Sequence, residues 1–204
     1  MLDQYVRPII DPPLNHIGHR LARAGLSANA VTLIGLGLGV AGALAITAGF
    51  FGWALVLMLA SRLADGLDGA VARATRMTDF GGFFDIVADF IFYAAYPLAF
   101  ILTDPAQNGV VGGALLAAFY INAASFLGYA ILAAKHNLST EARGRKSWYH
   151  SSGLLEGTET ITFFTALCLF PAYFVPMSWV FAGLCLYTAV ARVAMAYDVF
   201  RDQG

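Results

Sequence analysis

Several runs of about twenty apolar residues, separated by short polar stretches, constrain this chain more than any other feature. An α-helix rises 1.5 Å per residue, so about twenty residues cross the roughly 30 Å hydrocarbon core of a bilayer. Six such segments are read, at about 28–49, 52–73, 82–102, 110–134, 156–174 and 178–199. The expected fold is therefore all-α and integral to a membrane, a bundle of six transmembrane helices. Only 12% of the residues are charged, against about 25% in an ordinary soluble domain. The first and fourth segments are the most continuous, whereas aspartates interrupt the second and third. Pro105, Pro171 and Pro176 fall in the breaks, where chain breakers belong. Short joins and the lack of any tandem repeat point to a single membrane domain over residues 1–204, with 1–27 ahead of the first span.

The twelve Lys and Arg residues set the expected orientation. Arg7, Arg20 and Arg23 precede the first span, and Arg73 and Arg76 lie between the second and third. Lys135, Arg143, Arg145 and Lys146 lie between the fourth and fifth, and Arg201 follows the sixth. The other three joins carry no basic residue, so both termini and the two charged loops are expected in the cytoplasm. This is the topology of a protein of the cytoplasmic, or inner, membrane. The opening stretch LDQYVRPIIDPPLNHIGHRLARAGL is too mixed for a cleavable signal peptide and reads instead as an interfacial amphipathic helix on the cytoplasmic side. Pro8, Pro12 and Pro13 are expected to confine that helix to about residues 14–24. Cys168 and Cys185 stand alone within spans and read as packing residues. The formal net charge of −1 is uninformative about partners, and no nucleic-acid partner is expected.

Against this background the stretch DGLDGAVARATRMTDFGGFFDIVADF, Asp65 to Phe90, is anomalous, because it holds five aspartates and two arginines. Asp65 and Asp68 are three residues apart near the end of the second span; Asp85 and Asp89 are four apart near the start of the third. Both spacings stack side chains on one helical face, and the short join lets the two pairs face each other at similar depth. Four carboxylates that close repel, and each costs free energy in a membrane helix, so positive charge must lie between them. Arg62, one turn from Asp65, and Arg73 are one source, and would make the cluster a structural ion-pair network. Two arginines do not balance four aspartates, however, and an oxygen-only donor set suits Mg²⁺ or Mn²⁺. Two such cations a few ångströms apart are a common device of phosphoryl chemistry. Gly66, Gly69, Gly81 and Gly82 lie beside the carboxylates. Glycine weakens helices, so this density reads either as space for a ligand or as close helix packing. Gly35 and Gly39, a GxxxG pair in the first span, read as packing.

Asp65-x₂-Asp68-Gly69-x₂-Ala72-Arg73, followed by Gly81-x₃-Asp85-x₃-Asp89, resembles the signature of the CDP-alcohol phosphotransferases, with eight defining residues in order. SANAVT upstream is similar to that family's Pro-Asn-x-x-Thr, keeping Asn29 and Thr32 with Ala28 in place of proline. Seven residues separate Arg73 from Gly81 where eight is commoner, so either Gly81 or Gly82 is the signature glycine; Phe90 stands where a basic residue often follows. The resemblance implies a six-helix membrane transferase of phospholipid synthesis, commonly homodimeric. It implies Asp65, Asp68, Asp85 and Asp89 as ligands of two divalent cations, Mg²⁺ or Mn²⁺, with Asp89 also the catalytic base. Asn29, Thr32, Gly66, Asp68, Gly69, Ala72, Arg73 and Gly81 would hold the CDP part of a donor such as CDP-diacylglycerol.

In branches of the family that use phosphorylated acceptors, a basic pocket near the last three spans holds the acceptor phosphate. Lys135, Arg143, Arg145 and Arg192 are the candidates here, with Lys146 beside them. An arginine inside a span is a functional candidate, but Arg192 also reads as a salt bridge to Glu156 or Glu159, or as snorkelling to the interface. Those glutamates either line the acceptor site or cap the fifth span. Other classes remain open at this stage: an aspartate-rich membrane prenyltransferase, a divalent-cation transporter, and an inactive relative that binds CDP-lipid.

Overall fold

The computed structural model describes residues 3–136, 155 and 157–201. These form seven helices: α1 (Asp3–Arg23), α2 (Ala28–Thr47), α3 (Phe51–Ala74), α4 (Asp79–Thr103), α5 (Pro105–Lys135), α6 (Gly157–Leu169) and α7 (Phe174–Phe200), with a 3₁₀ turn at Pro171–Tyr173 before the last. Each segment read as a span overlaps a helix, though the fifth, read over 156–174, is α-helical only over Gly157–Leu169. Four stretches, Ala28–Thr47, Asp79–Thr103, Pro105–Lys135 and Pro171–Phe200, are long and apolar enough to cross a membrane on their own. α3 has the length, 24 residues, but carries Arg62, Asp65, Asp68 and Arg73; α6 has only 13 residues. Large apolar side chains such as Leu33, Leu44, Val180 and Val190 point outward and are more than half exposed. In a protein with so little charge, that outer surface suits lipid.

Local signals explain most helix ends. Ser27 caps α2, its hydroxyl accepting the Ala30 N–H at 3.2 Å; Thr78 caps α4 by accepting from Gly81 at 3.0 Å. Asp104 caps α5 through the Gln107 N–H at 3.0 Å, with Pro105 in the first turn. Gly25 and Gly49 take φ of +86° and +79°, and so end α1 and α2 in left-handed turns. Pro176, expected to break the chain, sits instead within the first turn of α7, where its missing N–H costs no helical bond. The fifth segment ends early, at Leu169, because Pro171 opens the 3₁₀ turn.

α1 departs from expectation, running through all three prolines from Asp3 rather than from about residue 14. Pro8, Pro12 and Pro13 are exposed, and so are Pro8 and Ile9, whose carbonyls lose donors. Groups freed there meet the surroundings rather than a core, which lowers the cost of a helical proline.

α2 packs against both α3 and α4, α1 lies along α3, and α4, α5 and α7 complete the bundle. Gly35 and Gly39 make the central contact close. A Cβ on Gly35 would lie 3.1 Å from Ala64 of α3, and one on Gly39 2.8 Å from Phe92 of α4. The GxxxG pair is thus a packing device, and it draws together the two helices that carry the aspartates. Phe92, Tyr96, Phe100, Phe164 and Phe174 form the buried aromatic core beneath them.

Candidate metal and nucleotide site

α3 and α4 each contribute carboxylates to one focus. One oxygen from each of Asp65, Asp68 and Asp85 lies within 4.8 Å of the other two. Oxygens bound to a single Mg²⁺ at about 2.0–2.1 Å lie at most about 4.2 Å apart, so small rotations bring all three onto one ion. Thr32 of α2 braces the trio: its buried hydroxyl donates to Asp68 Oδ2 at 2.6 Å. No hydrogen bond or ion pair among the described residues reaches Asp85, and its oxygens are left for a ligand.

Asp89 lies one turn beyond Asp85 and outside that trio. Its Oδ1 accepts from Arg62 Nη1 at 2.6 Å, while the same nitrogen lies 3.5 Å from Asp65 Oδ1. The guanidinium is stacked 3.7 Å above the Phe92 ring, and its Nη2 donates to Ser61 Oγ at 3.2 Å. Its Nε is buried without a partner. Of the two arginines that could have neutralised the aspartates, only Arg62 does so. Arg73 is engaged elsewhere, its Nε and Nη2 both donating to Asn15 Oδ1 at 3.2 and 2.8 Å. One guanidinium against four carboxylates leaves the charge unbalanced. A cluster of oxygen donors with that excess is what a hard divalent cation fits.

The residues expected to hold the nucleotide differ in what they touch. A Cβ on Gly81 would lie 3.0 Å from Thr78 Oγ1 and 3.3 Å from Asn29 Oδ1, whereas one on Gly82 would meet open space. Of the two glycines, Gly81 is thus the one beside Asn29. Gly69 lies under the Arg73 guanidinium, with Nη1 3.3 Å from the position of a Cβ, and Ala72 is half-buried beside it. Gly66 has another neighbour, the Leu14 side chain of α1, 2.8 Å from where its Cβ would be. Thr32 touches an aspartate rather than an open surface.

The basic residues divide similarly. Arg192 is buried in α7, with Nη1 donating to the Asn122 carbonyl at 3.1 Å, Asn122 Oδ1 at 3.0 Å and Ser125 Oγ at 2.6 Å. These partners are neutral, so its charge is uncompensated among the described residues; Phe126 lies 5.7 Å from its guanidinium carbon. It borders a cleft of about 400 Å³ between α5 and α7, lined also by Tyr129 and Leu132. Lys135 closes α5 and is exposed. Arg143, Arg145, Lys146 and Glu156 lie outside the described residues.

Sequence reasoning placed Arg62 beside Asp65 but missed its shorter contact with Asp89, 27 residues away. It also missed Asn15 and Asn122, because polar residues on separate helices carry no local signal of whom they meet.

Residues 26–200 match the family model for CDP-alcohol phosphatidyltransferase. The chain is 45% identical, over 97% of its length and 96% of the relative's, to the inner membrane protein YnjF of Escherichia coli K12. It is 34% identical to the archaetidylinositol phosphate synthase of Pyrococcus horikoshii over 41% of this chain and 45% of that one. Phosphatidylinositol phosphate synthase (PgsA1) of Mycobacterium tuberculosis with CDP-DAG bound has a similar fold, at TM-score 0.71 and 22% identity over 90% of this chain and 93% of that one. The same enzyme in complex with manganese and citrate aligns at TM-score 0.65 and 23% identity, covering 90% and 88%.

Proposed function

The chain belongs to the CDP-alcohol phosphatidyltransferase family, and on that premise we propose that it transfers a phosphatidyl group from CDP-diacylglycerol to a small phosphorylated polyol, releasing CMP. The observation that carries the reading is the carboxylate trio, Asp65, Asp68 and Asp85, assembled from the two halves of the signature. The fold it shares with an enzyme crystallised with CDP-DAG, and again with manganese, supports both the donor and the cofactor.

Asp65, Asp68 and Asp85 would hold the divalent cations, Mg²⁺ or Mn²⁺, and Asp89 would reach the second of them. Bound there, the cations supply charge neutralisation for the donor pyrophosphate and for CMP as it leaves. Thr32 fixes the rotamer of Asp68, so that this ligand is oriented before the donor arrives. Asn29, Gly69, Ala72, Arg73 and Gly81 form the wall that receives the cytidine nucleotide. The acceptor hydroxyl oxygen attacks the phosphorus that bears the lipid as the bond from that phosphorus to the CMP oxygen breaks, and Asp89 accepts the hydroxyl proton. A carboxylate is a weak base for an alcohol, so this proton moves late, as the bond to phosphorus forms. Arg62 holds Asp89 on the side facing α3 until then. Most of the acceleration in such a transfer comes from position and charge.

The preference for a phosphorylated acceptor rests on Arg192, whose guanidinium is buried with only neutral partners among the described residues. Lys135, Arg143 and Arg145 would join it. The same reading takes residues 1–204 as one membrane domain of six spans, with both termini and the aspartates on the cytoplasmic side by the distribution of basic residues, in a protein that forms homodimers. CMP release by the purified protein tests the assignment, with glycerol 3-phosphate, inositol phosphate, free inositol and serine as separate acceptors. Turnover with a phosphorylated polyol, reduced at least tenfold by Arg192→Gln, is the expected result; turnover with serine or free inositol alone would replace it.

A further inference from the structure

We infer that α1 is part of the donor site, and that Asn15 is a positioning residue that presents Arg73 to the cytidine nucleotide; the inference rests on the assignment of Arg73 to that nucleotide made above. Arg73 is exposed near the end of α3, and a long free side chain there would sample many rotamers. Asn15 Oδ1 accepts from Nε and Nη2 together, at 3.2 and 2.8 Å. Those two N–H groups share one edge of the planar guanidinium. Pinning that edge directs the other, the fork of Nη1 and Nη2, away from α1. Nη1 lies over Gly69, where a Cβ would come within 3.3 Å of it. The free fork has the geometry that binds a phosphate through two parallel hydrogen bonds.

The contact is built rather than casual, because α1 is locked to α3 on both sides of Asn15. Leu14 is buried over Gly66, in space a Cβ would take at 2.8 Å. Gly18 lies against Ala70, with 2.6 Å between a Cβ built there and that of Ala70. Residues 14 and 18 thus set the register of α1 on the DGLDGAVAR segment, and Asn15 falls opposite Arg73. An interfacial helix alone would need no such fit. Preordering Arg73 lowers the entropy lost when the nucleotide binds.

The test is the affinity of the purified full chain for CMP, the product common to all donors of this class, measured in Mn²⁺ by equilibrium dialysis. Asn15→Ala should weaken CMP binding roughly three- to tenfold, the loss of a hydrogen bond to a charged group at a partly exposed site. Asn15→Asp, which keeps the accepting oxygen, should bind within about twofold of the parent chain. Asn15→Ala combined with Arg73→Ala should bind no worse than Arg73→Ala alone, because Asn15 acts through Arg73. An unchanged affinity in Asn15→Ala, or additive losses in the double variant, would overturn the inference while leaving the role of Arg73 intact. Unchanged affinity in Arg73→Ala would remove that role and the inference together, and CMP binding lost in Asp65→Asn would then still support the metal-bound donor site.

Discussion

Thr32 and Arg62 show how much of this site depends on single side chains that are not themselves donors to a cation. Thr32 gives its proton to Asp68 at 2.6 Å in a buried setting. Thr32→Val keeps the shape and removes the bond, so Mn²⁺ affinity should fall about 10- to 100-fold with little change in fold, as read by titration calorimetry. Arg62 is the one cation among the described residues that touches the aspartates. Arg62→Met should lower the stability of the metal-free protein by about 1–3 kcal/mol, the cost of breaking a buried pair reduced because Asp89 is partly exposed. Added Mn²⁺ should recover most of that loss, since an ion that binds only the folded state stabilises it; thermal unfolding in detergent with and without the metal reads both. The aspartates were legible in the sequence because four carboxylates in an apolar chain have few explanations. Their partners were not, because the Arg62–Asp89 and Arg73–Asn15 contacts span 27 and 58 residues and depend on how whole helices are set against one another.

Helices α2, α3 and α4 form the element on which the trio depends, and the closeness of their packing is set by glycine. A Cβ on Gly39 would lie 2.8 Å from Phe92 Cδ2 and 2.9 Å from Ser61 Oγ, whereas one on Gly37 would meet nothing within 4 Å. Gly39→Val should therefore destabilise the protein by about 1–3 kcal/mol through overpacking and weaken metal binding as α3 and α4 move apart. Gly37→Ala should leave both unchanged or slightly improved; unfolding in detergent compares the two. The existence of these helices was readable because long apolar runs in a bilayer have one local solution. Their ends were readable where Pro105 and Pro171 marked them, whereas the caps Ser27 and Thr78 were not picked out. α1 was misread because the cost of a helical proline depends on whether the freed carbonyls are exposed, which local sequence does not state. Pro176 was misread because a proline in the first turn of a helix and one between helices look alike in sequence.

At the scale of the whole molecule, the account needs the aspartates and the basic loops on one side of the membrane. Met77 lies between α3 and α4, and Asp104 between α4 and α5. Cys168 and Cys185 are buried, so single cysteines placed at 77 and 104 should dominate labelling in intact cells. An impermeant maleimide applied from outside should modify position 104 and spare 77; the reverse pattern would invert the proposed topology. Family membership came from eight residues in a fixed order, and no composition argument would have reached it. The most direct test of the central claim is CMP release from CDP-diacylglycerol by the purified protein with phosphorylated acceptors, with and without Mn²⁺, in the parent chain and in Asp65→Asn and Asp85→Asn. Release that requires the metal and falls at least about a hundredfold in both variants is the predicted result. Release that persists in either variant, or without any divalent cation, would contradict the account.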